Sequence, residues 1–209
     1  IKTYLERELP GLDFRVTAET MRRFWAMLAH YHGQVWNSSE FARSFGVSDK
    51  TVRGYLDILS DTFMARLLRP WHENLSKRQV KSPKVYFRDS GMLHSLSAVE
   101  VFTQLQTHPR CGASWEGFAL EQTIQRTGAW DEQCYFWATH QGAELDLLIV
   151  RGGKREGFEF KYHPSPGFTP SMREALAALK LDRLWVVHPG VERYSLGRRV
   201  DAIPLSDID

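Results

Sequence analysis

ELDLLIVRGGKREGFEFKY, residues 144–162, is the stretch that decides the fold of the rear half of this chain. Two runs of strand formers, ELDLLIV at 144–150 and GFEFKY at 157–162, flank Gly152–Gly153, a pair suited to a two-residue hairpin turn. Such a turn pairs Arg151 with Lys154 and, counting outward, sets Asp146 opposite Glu159. Strand side chains alternate, so Glu159 and Lys161 share one face while Phe158 and Phe160 take the other. ELDLLIV is otherwise apolar enough for a central strand, where an ionised Asp is costly unless it is paired or binds a metal. Two readings stay open: an Asp146–Lys161 ion pair without chemistry, or two carboxylates and an amine around a cation. Two oxygen ligands with room for water and phosphate suit Mg²⁺ or Mn²⁺.

The flanks supply the rest of an α/β sheet. QCYFWAT at 133–139 predicts a strand, PSMREALAALKL at 170–181 an amphipathic helix, and DRLWVVHPG at 182–190 a buried strand that completes the sheet. Upstream, Ser114 caps a helix to about Thr127 that turns Phe118, Ala119, Gln122 and Ile124 to one face, with Gly128 ending it and Glu116 in its first turn. Glu144 shares the face of Asp146 by period two and is a substitute ligand. The eight histidines lie in no zinc or Ser–His–Asp spacing, although His140 and His163 fall close to the acidic stretch.

The front half reads differently. Thr17 caps a helix from Ala18 that buries Met21, Phe24, Trp25, Leu28 and Ala29. NSSEFARSFGVSDKTVRGYLDIL, residues 37–59, then gives two short amphipathic helices about Gly46. Ser38 or Ser39 caps the first, Val47 plugs the angle between them, and Ser48 caps the second. This is a helix-turn-helix pattern, in which Asp49, Lys50, Thr51 and Arg53 at the start of the second helix face a DNA major groove; a plain structural helix pair is the alternative. TFMARLLR at 62–69 and PKVYFRD at 83–89 predict two strands of a wing. Its loop carries Lys77, Arg78 and Lys81, with Lys84 entering the second strand, as phosphate contacts or as a solvated loop. DSGMLHSL at 89–96 is a capped short helix leading away.

Composition narrows the function classes. At 209 residues and 43% hydrophobic content, one large domain or two small ones can each bury a core. Net charge is +2, with basic residues in excess over the first hundred positions and acidic ones after them. No apolar run is long enough for a membrane span, no signal peptide is legible, and a cytoplasmic protein is expected. Cys111 and Cys134 are too few for a disulfide scaffold and read as ordinary buried thiols. Ile1 stands where a start methionine is expected, which points to a fragment.

Asp146, a turn, and Glu159-x-Lys161 on the next strand, with Glu116 on the preceding helix, resemble the PD-(D/E)XK nuclease superfamily over roughly residues 110–190. The resemblance implies that Asp146 and Glu159 hold one or two Mg²⁺ ions, that Lys161 positions the attacking water, and that Glu116 is an auxiliary ligand. Leu145 stands where the motif has its proline. TYLERELP near the start, KSPKVYFRDSG at 81–91, SWEGFALEQ at 114–122 and the ELD…FEFK pair are similar to the DUF4143 region of prokaryotic AAA-type ATP-binding proteins. No GxxxxGK[ST] loop occurs here, so that resemblance implies an ATPase domain upstream and no ATP binding by this chain. The expected architecture is α/β (α+β overall): a winged helix-turn-helix DNA-binding domain over 1–108, followed by a restriction-endonuclease-like mixed α/β domain over 109–209. The expected function is DNA binding with Mg²⁺-dependent phosphodiester hydrolysis. The alternative is a non-catalytic DNA-binding or assembly module.

Overall fold

The computed structural model describes residues 16–72 and 80–208. The TYLERELP stretch, Lys77 and Arg78 lie outside the described residues. The front half begins with α1 (Ala18–Ala29), where the Thr17 hydroxyl accepts from the Thr20 N–H. Then come β1 (Gln34–Val35), α2 (Ser38–Phe45), α3 (Asp49–Asp61), β2 (Ala65–Pro70), β3 (Lys84–Phe87) and α4 (Ser90–Leu96). Its core is aromatic: the Phe24 ring meets Trp36, Phe41, Phe45 and Tyr55 with centroids between 5.5 and 6.3 Å apart. Gly46 turns the chain between α2 and α3 at φ 65°, and the Ser48 hydroxyl caps α3 by accepting from the Thr51 N–H.

Two local expectations are corrected. Asn37, not a serine, occupies the cap position of α2, and the Ser38 hydroxyl instead donates to Asp49 Oδ2 at 3.1 Å, tying the two helices together. Val47 is exposed and does not plug the interhelical angle. Phe45 and Tyr55, both packed on Phe24, already fill that space.

The rear half holds α5 (Phe102–Thr107), α6 (Cys111–Arg126), β4 (Cys134–Ala138), β5 (Glu144–Arg151), β6 (Lys154–Phe160), α7 (Pro170–Ala178), β7 (Arg183–His188), β8 (Tyr194–Gly197) and β9 (Val200–Pro204). Ala119, Leu120 and Ile124 of α6 cover one sheet face together with Phe136, Leu147 and Phe158. Met172 and Ala175 of α7 cover the other with Leu145, Leu148 and Val186. Seven helices and nine strands thus form a mixed α/β fold among the described residues. The sheet does not finish at β7, because β9 pairs parallel to it and β8 closes the edge.

Helix α6 starts at Cys111, ahead of the expected Ser114 cap. Ser114 lies inside it, with its hydroxyl bonded to His94 Nε2 at 2.7 Å, so the group has a side-chain partner and no capping role. Phe118, expected in the core, is exposed, while Glu121 is buried. A partner explains the inversion: Arg66 of β2 makes a bidentate pair with Glu121.

One sheet runs through both halves in the order β1-β3-β2-β4-β5-β6-β7-β9-β8. The front hairpin joins the rear strands where β2 pairs parallel with β4, at Arg69↔Tyr135 and Pro70↔Phe136. Around this seam Arg66 also bonds Asp131, which accepts from Arg88 at 2.8 Å. Helix α6 lies close to the front half here, since a Cβ on Gly117 would come within 2.2 Å of His32 Nε2. Among the described residues no helix is long and apolar enough to cross a membrane.

Candidate active site

The hairpin forms in the register its sequence calls for. Gly152 and Gly153 both adopt positive φ, 58° and 77°, and the ladder runs from Arg151↔Lys154 to Leu147↔Phe158. It ends one residue short of Asp146 and Glu159. There the Asp146 carboxylate takes over from the backbone, its Oδ2 accepting from the Phe160 N–H at 2.9 Å. On the other side of β5 the ladder slips: Tyr135 pairs with Leu148 but Trp137 with Leu145, so Asp146 and Leu147 together oppose Phe136. Such a β-bulge bends the strand and re-aims one side chain. The acidic residue therefore sits at the one irregular point of an otherwise apolar central strand.

Asp146 and Glu159 are 4% and 3% exposed. Burial, followed by the negative charge of Asp146, pushes Glu159 well above the usual carboxylate range; the Lys161 ammonium, 2.9 Å from Glu159 Oε2, opposes this. Burial would lower the Lys161 pKa, but the charges of Glu159 and Asp146 outweigh it and raise it. Burial and the Asp146 charge lift Glu116 of α6 to about 7, against the pull of Lys84 and the Tyr86 hydroxyl. The Tyr86 hydroxyl donates to Glu116 Oε1 at 2.5 Å. Asp146, Glu159, Lys161 and Glu116 thus gather at one place, with Glu116 in the second turn of its helix, because α6 starts early.

Lys84 also joins this cluster. Expected as a phosphate contact on the wing, it is 3% exposed and turned inward, its Nζ 3.1 Å from Glu144 Oε1 and 3.4 Å from Glu116 Oε1. The signal was present in the alternation of KVYF, which puts Lys84 and Tyr86 on one face of β3. Glu144 joins the cluster as Lys84's partner. Among the described residues no three His, Cys, Asp or Glu side chains form a ready metal cage. The donor set still suits a hard cation, since Asp146 and Glu159 present buried carboxylate oxygens.

Of the expected DNA contacts, Lys50 and Arg53 are exposed on the outer face of α3, and Lys81 is exposed before β3. Thr51 is half-buried and its Oγ1 shares a hydrogen bond with the capping Ser48 hydroxyl at 2.9 Å.

Residues 111–208, which include Glu116, Glu144, Asp146, Glu159 and Lys161 but not Lys84 and Tyr86, match the family described as domain of unknown function DUF4143. Residues 111–208 are a DUF4143 domain. Residues 1–103 match a second family, domain of unknown function DUF8612, which supplies Lys84 and Tyr86 to the DUF4143 cluster. The whole chain is similar, at 47% identity over 208 residues, to uncharacterized proteins of Mycobacterium bovis and Mycobacterium tuberculosis. It spans 47% of the length of each of these relatives. No solved structure matches the chain.

Proposed function

We propose that this chain binds DNA through a winged helix-turn-helix over residues 1–108 and hydrolyses a phosphodiester through a PD-(D/E)XK-like site over 109–209, as the C-terminal part of a longer cytoplasmic ATP-binding protein. The observation that carries the reading is the meeting of Asp146, Glu159 and Lys161 where β5 and β6 part. Asp146 and Glu159 would hold the divalent ion, Mg²⁺ or Mn²⁺, with Glu116 as an auxiliary ligand. When bound, that ion supplies Lewis acidity at a phosphate and lowers the pKa of water. Asp146 is fixed for this by the Phe160 N–H at Oδ2, while its Oδ1 lies 4.0 Å from the Lys84 ammonium. The Lys161 side chain is 40% exposed, so its ammonium can reach from Glu159 to a substrate oxygen and offset the charge that develops on the phosphorus centre. The chain spans 47% of the length of its relatives, which leaves room for an ATPase segment outside it.

A second reading, an assembly or DNA-binding module without hydrolysis, is favoured by Lys84, whose ammonium already neutralises part of the cluster. Calorimetric titration with Mn²⁺ separates the two. The nuclease reading expects the chain to bind Mn²⁺ and Asp146→Ala to lose that binding. A folded parent that takes up no divalent metal leaves the assembly module as the function.

A further inference from the structure

Lys84 reaches the cluster from β3, which is held between β1 and β2 by pairing of Lys84 with Val35 on one side and Leu68 on the other. Its backbone therefore cannot swing aside without opening the front sheet. The side chain is 4% exposed and passes over the Phe136 ring, with Nζ 5.7 Å from the centroid. Beyond the ring Nζ lies between Glu144, Glu116 and, at 4.0 Å, Asp146 Oδ1.

Two-metal phosphodiester sites hold their ions about 3.5–4 Å apart, with a carboxylate shared between them. Asp146 is the residue placed to be shared here, with Glu159 on one side and Glu116 and Glu144 on the other. The second side is filled. A Mg²⁺ ion needs oxygen ligands at about 2.0–2.1 Å in near-octahedral order. The ammonium already occupies the space among those three carboxylates, and Glu116 Oε1 is further engaged by the Tyr86 hydroxyl.

Building on the metal-dependent reading above, we infer that Lys84 stands in for the second metal ion, so that the site takes one divalent cation, between Asp146 and Glu159. The fixed charge that a second ion would bring comes instead from a residue of the DUF8612 half. The front hairpin therefore supplies part of the positive charge around the ion site of the DUF4143 half.

The test is a count of bound Mn²⁺, by calorimetry and by elemental analysis after gel filtration. One ion per chain is expected in the parent. Lys84→Met is expected to bind two, and Lys84→Met with Glu116→Gln to return to one. Two ions in the parent, or one in a folded Lys84→Met variant, overturn the inference while leaving the metal-dependent reading intact. No bound Mn²⁺ in the parent removes that reading and the inference together. If Lys84→Met does not fold, electron paramagnetic resonance of the saturated parent decides: an isolated-ion spectrum supports the inference, and an exchange-coupled pair contradicts it.

Discussion

At the residue scale, the division of labour within the cluster makes separable predictions. Lys161 touches Glu159 from a partly exposed position, whereas Asp146 is buried and anchored. Lys161→Ala should keep Mn²⁺ binding and lose turnover, and Asp146→Ala should lose both; calorimetry on the two variants beside a cleavage assay checks this. His32 makes a second prediction. Its Nδ1 accepts from the Phe87 N–H at 3.0 Å in a buried pocket, and burial lowers its pKa to about 4 from an ordinary 6.5. The folded protein thus keeps His32 neutral while the unfolded chain takes a proton, so stability is lost as pH falls from about 6.5 towards about 4. The full contribution is about 3 kcal/mol, to be read as the difference in urea unfolding between the parent and His32→Asn across that window; parallel pH profiles would refute it. Asp146, Glu159 and Lys161 were legible because a Gly-Gly turn fixes register over a few residues. For Lys84 only the face it shares with Tyr86 was legible; its aim at the cluster depends on strands brought together from distant parts of the chain.

At the scale of elements, the seam between the halves rests on Arg66 of β2, Glu121 of α6 and Asp131 ahead of β4. Arg66 and Glu121 are each 5% exposed at the side chain, so removing Arg66 leaves Glu121 charged and buried with only Arg88, 3.9 Å away, as a counter-charge. Arg66→Met should cost about 3–5 kcal/mol, and adding Glu121→Leu should recover much of it. Chemical denaturation of the single and double variants gives the answer; equal stability of the two would contradict the account. The exposed start of α3 makes a different prediction. Replacing Lys50 and Arg53 with Ala should weaken duplex DNA binding and flatten its dependence on salt by about one unit of slope per lost phosphate contact. The paired helices and the hairpin were readable from spacing and glycine placement. The bulge at Asp146–Leu147 was not, since it is set by the fit of β5 against β4. Nor was the true start of α6, because Ser114 looks like a cap until His94 arrives as its partner.

At the scale of the whole molecule, the sequence pattern divides the chain into a helical front and an α/β rear, whereas the strands join into one sheet. The link is a short parallel pairing at Arg69 and Pro70, with no local pattern to announce it. Its consequence is chemical as well as architectural, since it carries Lys84 and Tyr86 from the front half to the acidic cluster of the rear. The most direct measurement of the proposed function is cleavage of plasmid, linear and branched DNA with Mg²⁺ or Mn²⁺, by this chain and by the longer protein proposed to contain it. The account predicts metal-dependent cleavage that is abolished by Asp146→Ala. Absence of cleavage in both proteins, or equal cleavage by parent and variant, would contradict it.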